Sequence, residues 1–128
     1  MKPVHWIGST LKDLREMPDE VRREAGFSIW MAQKGDKATN AVALVGFGSA
    51  KVLEVVIDDD GNAYRAIYTV KFARAVYVLH AFQKKSKRGA ATPKHELDLV
   101  RTRLKAAEAH YKRTYEQVTR REIANDRA

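Results

Sequence analysis

The segment Leu79–Gly89, LHAFQKKSKRG, carries an apolar run straight into four cations, Lys84, Lys85, Lys87 and Arg88. Ammonium and guanidinium groups resist burial, so a strand ending this way concentrates positive charge at the rim of a sheet. Arg65 stands inside another strand-like run, AYRAIY, where Arg is unusual unless its face meets solvent or an anion. With His80, and with Lys51 at the head of the preceding apolar run, Arg65, Lys84 and Lys85 can line one concave surface. The chemistry that suits this set is phosphoryl transfer on RNA without a metal. Cations neutralise the scissile phosphate and its transition state. A lysine or histidine moves protons from the 2′-hydroxyl and to the leaving 5′-oxygen. Phe82 and Tyr68 offer rings for an unpaired base, and Ser86, Lys87 and Arg88 offer further RNA contacts.

Each of these residues has a plainer role open to it. A Lys/Arg run in a loop is more often simply solvated. A lone strand histidine is more often a satisfied core group than a catalyst. Arg65 can be tied in a cross-strand salt bridge to Glu54. The four histidines, at 5, 80, 95 and 110, have no compact metal spacing, and no cysteine accompanies them, so neither a metal nor any other cofactor is expected. GFGS at 46–49 lacks the lysine of a phosphate loop, and Asp58–Asp60 reads as a solvated hairpin turn rather than a calcium loop.

The elements that must position these groups follow from patterning. The chain has 128 residues, 45% hydrophobic and 31% charged, which fits one domain with a real core spanning 1–128. No run approaches the roughly 20 apolar residues of a membrane span, and the early charge in MKPVHWIGSTLKD argues against a signal peptide. Without disulfides, the cytoplasm is the expected compartment. A strand is expected at Pro3–Ile7, then a helix capped by Ser9 or Thr10 through Glu16. Pro18 breaks the chain, and a second helix runs from about Glu20 to Lys34, stopped by Gly35. The segment 36–49 reads as irregular. Period-two alternation then predicts strands at Lys51–Ile57, Ala63–Val70 and Ala75–Phe82, the first two joined by DDDGN, a hairpin signature. In the last strand, strict alternation puts Val76, Val78, His80 and Phe82 on one face, and Tyr77, Leu79 and Ala81 on the other. Thr92-Pro93 opens a basic helix over about 93–119, followed by a frayed tail over about 120–128. The expected fold is α+β, in the order β-α-α-β-β-β-α, with the helices packed on one face of an antiparallel sheet.

Charge is uneven along this order. Residues 1–82 hold 11 Lys and Arg against 10 Asp and Glu, and residues 83–128 hold 13 against 6, so the excess of the net +8 lies in the last third. That asymmetry points to a polyanionic partner.

LVGFGSAKVLEVVIDDDGNAYRAIYTV, followed by AVYVLHAFQKKSKRGAATPKHE, resembles the RelE/ParE superfamily of toxins, and within it the HigB-like, phage-derived branch. The resemblance lies in the order of a GFG turn, a strand, "YR", a strand ending VYVLHAFQKKS, and "TP" opening a helix. It implies a RelE-like fold and a type II toxin: a metal-independent messenger RNA endoribonuclease acting on the ribosome, restrained by a cognate antitoxin, often of helix-turn-helix type. It places Arg65 at the transition-state charge and Lys84 and Lys85 at phosphate contact and proton transfer, and it includes His80 in the LHAF signature. The ParE side of the superfamily inhibits DNA gyrase instead. A non-catalytic toxin of that kind, or a phage-derived interaction module, is the alternative.

Overall fold

The structure is a computed structural model and describes residues 1–84 and 91–116. The chain opens with strand β1 (Val4–Trp6), helix α1 (Thr10–Arg15) and helix α2 (Asp19–Gln33). Pro18 holds extended backbone at φ −55 and ψ 151, which separates the two helices. Gly35, at φ +87, follows the end of α2 and closes it in the left-handed region. A short strand, β2 (Ala41–Ala43), lies in the segment expected to be irregular. Three residues, of which only Ala41 is buried, carry too little pattern to be read, yet β2 completes the sheet by pairing antiparallel with the next strand.

The meander then follows as expected: β3 (Val52–Asp59), β4 (Asn62–Thr69) and β5 (Val76–Lys84). Asp60 and Gly61 both adopt positive φ, 48 and 79, the geometry that lets a two-residue turn match the strand twist. β5 runs two residues past the expected Phe82, so Lys84 belongs to the strand and not to a loop. Helix α3 (Lys94–Tyr111) is followed by a π-helical turn over Lys112–Glu116. Of the helix expected to about 119 and the frayed tail over 120–128, everything past Glu116 lies outside the described residues.

The sheet order is β1-β5-β4-β3-β2. β1 is parallel to β5, while the other pairs are antiparallel. The architecture is α+β and mostly antiparallel, in keeping with a RelE-like fold. Helices on a single face were expected, and this is corrected: they cover both. Leu14 of α1 and Val21, Ala25, Ile29 and Ala32 of α2 pack with Leu53, Val55, Tyr64, Ala66, Tyr68, Val76, Val78 and Ala81. Val100, Leu104, Ala107 and Tyr111 of α3 pack with Val52, Ile67, Tyr77 and Leu79. The physical reason is visible in the central strands. Both of their faces are apolar, and a sheet with two apolar faces must be covered twice. Among the described residues no helix is long and apolar enough to cross a membrane.

One polar contact crosses the first core. The Ser28 and Tyr68 hydroxyls meet at 2.8 Å, with both residues fully buried. Burial is also what raises the Tyr68 phenol above its usual pKa. Tyr68→Phe strands the Ser28 hydroxyl and is expected to cost about 1–3 kcal/mol in urea unfolding, with part recovered in the double variant that adds Ser28→Ala.

Candidate active site at the end of the central strands

A bulge in β5 builds the site. Ile67 pairs with His80, but Tyr68 pairs with Val78, so Leu79 is the extra residue. Strict alternation therefore fails after Val78, and the expected grouping of His80 and Phe82 with Val76 and Val78 is corrected. Val76, Val78 and Ala81 face α1 and α2. Tyr77 and Leu79 face α3, and the bulge turns His80 and Phe82 to that side as well. Arg65 pairs with Phe82 and Lys84 with Ala63. Arg65 and Lys84 are thus diagonal neighbours on the α3 face, about 7–8 Å apart along the backbone.

Arg65 is not presented to solvent. It is 6% exposed, and its Nη1 donates to Glu54 Oε1 at 2.8 Å and to Thr92 Oγ1 at 2.7 Å. The Thr92 hydroxyl in turn donates to Glu54 Oε2 at 2.5 Å. Thr92, which opens the α3 segment, is a residue type suited to capping a helix. Pro93 occupies the cap position instead and makes no side-chain cap bond, because the Thr92 hydroxyl is spent on the ion pair. The plainer reading of Arg65, a cross-strand salt bridge to Glu54, therefore describes its contacts here.

Lys84 stands beside this network with only 5% of its surface exposed, and its Nζ is buried without a hydrogen-bond partner among the described residues. Desolvation and the nearby Arg65 charge lower its pKa, with Glu54 opposing them. A lysine so placed gives up its proton more readily than a surface lysine.

His80 is also buried and doubly held. Its Nε2 meets the Glu96 carboxylate, and its Nδ1 lies 3.3 Å from Arg103 Nη1. A carboxylate only accepts and a guanidinium only donates, so the fitting tautomer is neutral with the proton on Nε2. Burial lowers the His80 pKa more than the Glu96 contact raises it, and Arg103 lowers it further. Arg103 also donates to the Leu79 carbonyl at 3.0 Å and to Ser9 Oγ at 3.3 Å. Its guanidinium lies close over Gly8, where a Cβ would meet Arg103 Nε at 3.0 Å, and the backbone there sits at φ +61. Glycine suits that position on both counts.

Two other expected members are displaced. Lys51 precedes the Val52–Thr69 pair, whereas Lys84 pairs with Ala63. Six residues of β4 put Lys51 about 20 Å away, at the opposite end of the sheet. Tyr68 is fully buried on the α1/α2 face and cannot meet a base. Phe82 is half-buried with its ring stacked on His80, centroids 4.5 Å apart. Lys85, Ser86, Lys87 and Arg88 lie outside the described residues. Glu96 and Arg103 were not picked out as site residues. Their seven-residue spacing, which puts both on the Val100 side of α3, is the signal that a helical reading could have used. Among the described residues no three His, Asp or Glu side chains are placed to hold a metal ion.

The sequence profile of the phage-derived Gp49-like proteins matches residues 12–105. The chain belongs to the Gp49-like family. This family is part of the RelE/HigB-like toxin superfamily and is associated with toxin-antitoxin systems. The match spans α1 through most of α3 and so takes in Glu54, Arg65, His80 and Lys84. No curated protein matches the Gp49-like chain.

Two outcomes follow from the geometry. Glu54→Ala leaves the Arg65 charge buried without its carboxylate, which is expected to cost about 3–5 kcal/mol in urea unfolding. The double variant Glu54→Leu with Arg65→Met removes both charges and is expected to lose far less. Second, the folded state holds His5 and His80 below their usual pKa, His5 by burial and by the facing His110. The unfolded chain therefore binds more protons below its own histidine pKa, about 6.5. Stability should be full above that value and fall as pH drops below it toward the folded values. Denaturation midpoints at pH 7.5 and 5.0 read this directly, and His80→Gln should flatten the dependence.

Proposed function

We propose that this Gp49-like protein is the toxin of a type II toxin-antitoxin pair and cuts messenger RNA, acting on message held by the ribosome. The observation that carries the reading is the Lys84 amine, buried beside Arg65 with no hydrogen-bond partner among the described residues and lowered in pKa by desolvation and by that charge. In the reaction, the RNA 2′-oxygen attacks its own adjacent phosphorus and the P–O5′ bond breaks. The products are a 2′,3′-cyclic phosphate and a 5′-hydroxyl. Lys84, whose burial and charged neighbour favour loss of its proton, takes the 2′-hydroxyl proton in its unprotonated form and returns one to the leaving oxygen. Arg65, fixed by Glu54 and Thr92, adds positive charge behind the phosphate without needing to be mobile. Neutral His80, stacked on Phe82 and held by Glu96, is better suited to shaping the wall than to moving protons. Lys85 remains a candidate for phosphate contact, and Ser86, Lys87 and Arg88 for RNA binding. An antitoxin of helix-turn-helix type would restrain the protein by covering this end of the sheet.

A second reading has one observation in its favour: Arg65 is buried in an ion pair with Glu54, as a structural pair would be. On that reading the chain docks to a target such as DNA gyrase and cuts nothing. Mapping of messenger RNA 5′ ends after brief induction separates the two. New ends inside coding regions are expected for the wild type, reduced by on the order of 10²–10⁴-fold in Lys84→Met. Lys84→Arg should be nearly as inactive, because it keeps the charge but cannot release a proton. Growth arrest without new 5′ ends would reject the nuclease reading and favour docking.

A further inference from the structure

A β-bulge gives its strand one residue more than the partner strand can pair. In β5 that residue is Leu79, between the Val78–Tyr68 and His80–Ile67 pairs. The effect runs to the end of the strand. Leu79 and His80 both stand on the α3 side, so Phe82 and Lys84 follow them there, while Ala81 faces α1 and α2. Without the extra residue, strict alternation from Tyr77 would give the α3 side to Leu79, Ala81 and Gln83, and would turn Lys84 to the other face. The place of the Lys84 amine beside Arg65 therefore depends on one irregularity. A backbone group set out of the ladder by a bulge needs a partner from elsewhere.

Arg103, in the middle of α3, meets the bulge directly. Its Nη1 donates to the Leu79 carbonyl at 3.0 Å and lies 3.3 Å from His80 Nδ1, so one nitrogen grips both residues of the bulge. Its Nη2 donates to Ser9 Oγ at 3.3 Å, and that hydroxyl donates to Asp13 Oδ2 at 2.7 Å. The planar fork thus joins three elements: α3, the bulge of β5 and the start of α1. Gly8 leaves the space in which it lies. A lysine at 103 would keep the charge but has a single nitrogen and no rigid fork.

We infer that Arg103 is a positioning residue: its guanidinium clasps the β5 bulge and so fixes the face of the sheet on which Lys84 stands. The clasp stands apart from the nuclease reading, whereas the chemistry it would serve at Lys84 rests on that reading.

The test is NMR of the isotopically labelled protein, comparing wild type with Arg103→Met, Arg103→Lys and Leu104→Ala. Leu104 is buried in the core beneath α3, so its truncation loosens the same helix and leaves the clasp in place. In the wild type, cross-strand Overhauser contacts should set Arg65 opposite Phe82 and Ala63 opposite Lys84. The His80 nitrogens should show one neutral tautomer, with its proton on Nε2. In Arg103→Met the cross-strand contacts should be lost or displaced by one residue, and the tautomer signature should disappear. Amides from Leu79 to Lys84 should exchange on the order of tenfold faster or more. Arg103→Lys should show the same faster exchange in smaller measure, and it carries the test where Arg103→Met does not fold. Leu104→Ala should melt at a lower temperature yet keep the wild-type pairing and tautomer. Wild-type pairing and exchange in every Arg103 variant that folds would overturn the inference. So would the same losses in Leu104→Ala, which would assign the effect to the packing of α3 rather than to the clasp.

Discussion

The ion pair between Arg65 and Glu54 is the constraint around which this end of the molecule is arranged. Both charges are more than nine-tenths buried. Such a pair is tolerated only when geometry and further hydrogen bonds offset the loss of water. Thr92 supplies the missing partner by accepting from the guanidinium and donating to the carboxylate. The consequence is structural as well as electrostatic. The triad ties β3, β4 and the residue before the cap of α3 into one unit, and its net field acts on the lysine one diagonal step away. The lowered proton affinity of Lys84 depends in part on Arg65 being held still.

Helix α3 is pinned at both ends by polar contacts to the sheet, with an apolar stripe between them. Glu96 in its first turn and Arg103 near its middle hold His80 from opposite sides. At its end the Tyr77 hydroxyl meets His110 Nδ1 at 2.6 Å, and His5 Nε2 meets the Tyr115 hydroxyl at 2.6 Å. Burial, together with Tyr115 and Tyr111, pushes the Tyr77 phenol up to about 12, so it remains a hydrogen-bonding hydroxyl at physiological pH. A rigid α3 matters because its first turn sets the wall of the site and the place of Thr92.

Much of the fold was legible in the residues. Period-two runs located β3, β4 and β5, Pro18 separated the first two helices, and Asp60-Gly61 marked the tight turn. These features are local, since alternation, a ring-locked φ and a turn that needs positive φ each depend on near neighbours alone. The face of Arg65 and its link to Glu54 were also legible, because regular alternation holds throughout β3 and β4.

Other features depended on contacts distant in sequence. The bulge at Leu79 has no composition that sets it apart, and one inserted residue reverses the faces of everything after it. Whether Thr92 caps its helix or completes an ion pair depends on Glu54, 38 residues earlier. Lys51 reads as a neighbour of Lys84 along the chain, yet antiparallel pairing sends it to the far end. The sequence by itself determined the α+β class, the central strands and the residue types at the site, because local periodicity and turn chemistry suffice for those. Only the tertiary structure decided that two sheet faces are covered, that Lys51 lies at the far end from Lys84, and that the Lys84 amine is buried with no hydrogen-bond partner among the described residues. Those outcomes are set by register and desolvation, which exist only once the strands have paired.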